Sequence, residues 1–134
     1  MAEIILKPGE RILRSEEGVD VSFKGEVSLG KVLMFGVMGL AMRGKKVKGG
    51  TLYLTNKRLV YTARVGRIRK KTVVPMDCPL ENISFCDVEK GLLGGETLKV
   101  TVSVGGKTAD FKFKVSSPSA WAEDIRKAIA ELEL

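Results

Sequence analysis

The chain has 134 residues, 44% of them apolar and 29% charged, a balance that suits one folded domain and excludes a polar, highly charged disordered chain. Histidine is absent and there are only two cysteines, so the commonest general base and metal ligand are missing and no disulfide framework is implied. Net charge is +7, and no acidic residue falls between Val27 and Met76, where twelve lysines and arginines do; this asymmetry steers anionic partners toward one region.

Met1 to Glu10 is short on apolar residues and carries charge, which does not read as a secretory leader. With Cys78 and Cys86 as small apolar fillers, a cytoplasmic setting is expected. Lys7-Pro8-Gly9-Glu10 reads as a turn, and Glu10 to Arg14 as a short first strand. From Val19 to Val27, the alternation of Val19, Val21 and Phe23 with Asp20, Ser22 and Lys24 predicts a second, half-buried strand, with Gly18 and Gly25 as its punctuation.

Residues 29–43 form an apolar insertion that fits neither an alternating strand nor a helix with one polar face. Its uncharged run, Val32 to Met42, is eleven residues long, short of the ~18 to 20 needed to cross a bilayer, so no transmembrane segment is expected. Leu33, Met34, Phe35, Met38 and Met42 within it are candidates for core burial, for an oligomer contact or for membrane contact.

Asn56-Lys57 separates Thr51 to Thr55 from Arg58 to Ala63, and the flanking alternation predicts a tight β-hairpin. Arg67 to Pro75 reads as a strand, Asp77-Cys78-Pro79 as a turn and Ile83 to Val88 as the next strand. After the glycine-rich loop Gly91 to Gly95 comes the strand Thr97 to Val104, and Gly105-Gly106 then signals a hairpin with Thr108 to Val115. Ser117 and Pro118 open an amphipathic helix over about 118–132, with Trp121, Ile125, Ile129 and Leu132 as its apolar stripe and Trp121 as a plug for the sheet.

The segment Gly50-Thr51-Leu52-Tyr53-Leu54-Thr55-Asn56-Lys57-Arg58-Leu59-Val60-Tyr61 resembles the hairpin signature of GRAM and bacterial PH-like domains. The opening Leu6-Lys7-Pro8-Gly9-Glu10 and the helix with Trp121 and Ile125 are similar to that family too, so the resemblance spans roughly Leu6 to Ala130. It implies a mainly β fold of the pleckstrin homology superfamily: a PH-like barrel of two antiparallel sheets, about seven strands, capped by one C-terminal α-helix. Residues 1–134 then make a single domain, and the superfamily's members bind phosphoinositides, other anionic lipids, peptides or proteins. No headgroup ligands carry over residue by residue.

On the residues alone, three partners are open. Arg43, Lys45, Lys46 and Lys48 flank the apolar insertion, and Arg67, Arg69, Lys70 and Lys71 form a second basic run; both suit an anionic phospholipid surface. A protein partner or a homo-oligomer through residues 29–43 is the alternative. Nucleic acid ranks below these, because aromatic stacking platforms are sparse. No nucleophile, base and charge-stabilising group share a motif, and Gly91 to Gly95 lacks the lysine and hydroxyl of a P-loop, so the expectation is a non-catalytic binding module with no cofactor or metal.

Overall fold

The computed structural model describes residues 4, 6–25, 46–65, 71–91, 95–104 and 106–132. Within them run seven strands, β1 (Ile12–Gly25), β2 (Lys46–Thr55), β3 (Arg58–Val65), β4 (Lys71–Pro79), β5 (Ile83–Lys90), β6 (Glu96–Val104) and β7 (Lys107–Lys114), followed by one helix, α1 (Pro118–Leu132). A 3-10 turn, Leu80–Asn82, joins β4 to β5. All neighbouring strands are antiparallel, in one continuous sheet of order β4-β3-β2-β1-β7-β6-β5. The sheet is mainly β as expected, yet among the described residues it is open: β4 and β5 are its two edges, not partners.

The long strand β1 organises this arrangement. The sequence suggested two short strands broken at Gly18, whereas the chain makes one strand of 14 residues. Its register against β2 shifts between Ile12 and Arg14, between Glu16 and Val19, and again before Val21. Gly18, at φ +69°, sits in the middle shift, where a left-handed residue lets a strand bulge and bend without ending. Beyond the bend, Val21 faces Val47 on β2 and Phe113 on β7, and Ser22 faces Lys46 and Lys112. One strand thereby joins the N-terminal hairpins to the C-terminal meander.

Strand β4 is displaced from its expected place. Asp77, Cys78 and Pro79 belong to the strand, opposite Val60, Leu59 and Arg58, and the reversal follows in the 3-10 turn. Proline is admissible there because it closes the strand at a sheet edge, where a missing N–H costs no ladder bond.

One face of each hairpin supplies the core: Leu52 and Leu54, Leu59 and Tyr61, Leu98, Val100 and Val102, and Phe111 and Phe113 are all buried. Trp121, Ile125 and Ala128 of α1 pack onto them as the stripe predicts, while Leu132 at the helix end is exposed. The β2–β3 hairpin is buried on its other face too, at Tyr53, Val60 and Thr62, so simple half-burial does not describe it. Among the described residues, no helix is long and apolar enough to cross a membrane.

Candidate functional site

The residues that carry the family resemblance turn out to hold one another. Glu10, at the end of the first turn, is buried, and Arg58 at the start of β3 donates to both of its oxygens, Nε to Oε2 at 2.8 Å and Nη2 to Oε1 at 3.1 Å. The Thr55 hydroxyl donates to Oε2 at 2.7 Å and the Lys7 N–H to Oε1 at 3.0 Å. Such charge-assisted bonds favour the ionised acid over the cost of burial, and the Arg58 bond first among them holds Glu10 down to about 2.

Asn56 completes the lock. Its Oδ1 accepts from the Arg11 N–H at 2.8 Å and its Nδ2 donates to the Gly9 carbonyl at 3.0 Å. The Lys57 Nζ reaches the Pro8 carbonyl at 3.0 Å. Arg58 also bonds Asp77 through Nη1 at 2.7 Å, which ties the start of β3 to β4. Two cations counted in the basic half, Lys57 and Arg58, are therefore engaged in fixing the turn and the hairpin tip together. The motif is structural chemistry.

Cys78 and Cys86 are buried free thiols, both pushed up to about 12, chiefly by burial. A thiol in that state is protonated at neutral pH and is a poor nucleophile. Among the described residues, no three acidic or thiol side chains come together in a metal-holding group.

Of the basic residues singled out in the sequence, Lys48 is exposed on β2. Lys46 and Lys71 begin β2 and β4, with side chains outside the described residues. Arg43, Lys45, Arg67, Arg69 and Lys70 also lie outside the described residues, as do Leu33, Met34, Phe35, Met38 and Met42.

Lys48 lines a cleft of about 460 Å³ with Asp20, Val21, Ser22, Thr97, Lys112 and Lys114. The bend in β1 builds it, because β2 and β7 flank that strand on its two sides and bring Lys48 toward Lys112 and Lys114. Asp20 is fixed by accepting the Gly49 N–H at 2.9 Å. Lys112 Nζ lies 2.8 Å from Glu89, whereas among the described residues Lys48 and Lys114 make no ion pair. Lys48 and Lys114, with Lys112 shared with Glu89, stand against Asp20 beside two hydroxyl side chains, and leave a cationic cleft with donors suited to an oxyanion.

Lys112 and Lys114 were missed in the sequence because the C-terminal part is acidic on balance. The signal was present nonetheless: Phe111 and Phe113 alternate with Lys112 and Lys114, and a period of two puts the lysines on the outward face.

No protein-family model matches the chain, and comparison with curated proteins finds no match.

Proposed function

We propose that this chain is a PH-like binding module of GRAM type, non-catalytic, that engages an anionic membrane surface through the cleft between β2, β1 and β7. The observation that carries this reading is the convergence of Lys48, Lys112 and Lys114 around one cleft with Ser22 and Thr97. Clustered lysines attract anionic headgroups at about 1 kcal/mol each near the surface. Arg43, Lys45 and Lys46 directly precede Lys48 in the sequence and add positive charge to that stretch of the chain.

The finer fold reading, two packed sheets forming a barrel, is part of the same proposal. It is supported by the bent strand β1, which serves β2 on one side and β7 on the other, and by a helix that packs on the β5 and β6 half of the sheet. Free Cys78 and Cys86 suit the reduced cytoplasmic face of a membrane.

The test is co-sedimentation with neutral and anionic vesicles at low and physiological salt. The triple variant Lys48→Ser, Lys112→Ser, Lys114→Ser is expected to bind anionic vesicles roughly a hundredfold more weakly, from about 1 kcal/mol per lysine, with an unchanged circular dichroism spectrum. Equal binding by the folded triple variant refutes the assignment of the cleft.

A further inference from the structure

Strand β5 ends the sheet, bonded to β6 on one side only among the described residues. An edge strand of this kind presents unpaired backbone groups, and these invite pairing with a strand of another molecule. Here the exposed aromatic Phe85, with half its surface accessible, adds an apolar incentive. Ile83, Phe85, Ile129 and Ala130 line a groove of about 370 Å³ between β5 and α1.

Two side chains occupy the edge. Arg126 of α1 donates through Nη2 to the Cys86 carbonyl at 2.7 Å. Asp87 accepts the Val88 N–H at 2.8 Å through Oδ1, and that oxygen lies 3.0 Å from Arg126 Nη2. Cys86 and Val88 are two residues apart, so their backbone groups point to the same side of the strand. That side is the outer one, because the carbonyl of the intervening set, at Glu89, instead accepts from the Thr97 hydroxyl of β6. A donor from Arg126 and an acceptor from Asp87 thus stand where an added strand would place its own N–H and C=O.

We propose that Asp87 and Arg126 form a guard that closes the β5 edge against pairing with the edge strand of a second copy of this chain. The guard is specific to backbone groups: it satisfies the Cys86 carbonyl and the Val88 N–H and leaves β6 pairing intact. It also explains the placement of a helical arginine over the sheet edge, away from the cationic cleft. Both side chains are about half exposed, 54% and 53%, so water screens their attraction and the guard works by occupancy rather than by a strong ion pair.

The experiment compares the full chain with the double variant Asp87→Ala, Arg126→Ala by sizing chromatography with light scattering across a wide concentration range. The apparent mass of the double variant is expected to double relative to the parent at high concentration. Adding Val88→Pro removes the outward N–H without touching the β6 ladder, and is expected to restore the parent mass. A folded double variant with the parent's mass at every concentration overturns the proposal, and so does a mass increase that Val88→Pro leaves in place, which would mark contact through the apolar groove alone. Hydrogen exchange gives a second reading within the monomer: Asp87→Ala is expected to speed exchange at the Val88 amide selectively, and an unchanged rate there overturns the guard.

Discussion

Glu10 and Arg58, 48 positions apart in the chain, meet as a two-point ion pair in which the acid is fully covered and the arginine nearly so. A buried pair of this kind stabilises only while both partners are charged; losing one leaves the other stranded in a poorly solvating site. The pair fastens the turn at Lys7 to Glu10 to the tip of the β2–β3 hairpin.

Acid should release that fastening. Glu10 titrates near 2 in the fold against 4.5 for an ordinary glutamate. A carboxyl whose pKa is lowered by folding contributes stability that is fully present above the unfolded value and fades as pH falls toward the folded one. The shift corresponds to about 3 kcal/mol. Urea unfolding of the parent is expected to lose stability between pH 5 and pH 2, and Glu10→Gln to be about 3 kcal/mol less stable at pH 7 but close to the parent near pH 2. A constant difference between the two across that range counts against the assignment.

Two adjacent glycines should respond differently to the same substitution. A methyl group on Gly50 would overlap the Tyr61 ring and hydroxyl and the Thr62 carbonyl oxygen. Tyr61 cannot withdraw cheaply, since its hydroxyl donates to the Val19 carbonyl at 2.7 Å and accepts the Gly50 N–H at 3.1 Å. Gly49 has open space around it but lies at φ +70°. Gly50→Ala is expected to cost about 3 kcal/mol through overpacking, and Gly49→Ala about 1 kcal/mol through backbone strain alone. Thermal melts rank them, and the reverse order would contradict the packing described for Tyr61.

The sequence announces some of these features and conceals others for identifiable reasons. The hairpin at Asn56-Lys57, the strands that become β5, β6 and β7, and the helix from Pro118 are local patterns, and each sits within a few residues of its expected bounds. Strand β1 was divided because Gly18 looks like a terminator in isolation; only pairing with β2 turns that glycine into a bulge. Pro79 misled in the same way, since whether a proline ends a strand depends on its being at an edge. The Glu10 lock and the cleft of Lys48 with Lys112 and Lys114 join residues far apart in the chain, and no local spacing encodes them.

Thr55 and Thr62, both buried in the hairpin, offer a last contrast between a hydroxyl that works and one that does not. Thr55 Oγ1 bonds Glu10 and accepts the N–H groups of Lys57 at 3.1 Å and Arg58 at 2.9 Å. Thr62 Oγ1 has no hydrogen-bond partner among the described residues. Burying an unsatisfied hydroxyl costs about 1–3 kcal/mol, whereas deleting a bonded one strands its partners. Valine nearly matches threonine in shape and suits a strand. Thr62→Val is therefore expected to raise the stability by about 1 kcal/mol, and Thr55→Val to lower it by about 2 kcal/mol or more, because the Glu10 carboxylate and two N–H groups lose a bond together. Chemical unfolding of the two variants decides it: a destabilised Thr62→Val would mean that the Thr62 hydroxyl has a partner in solution, and a neutral Thr55→Val would mean that Arg58 and the Lys7 N–H suffice to hold Glu10.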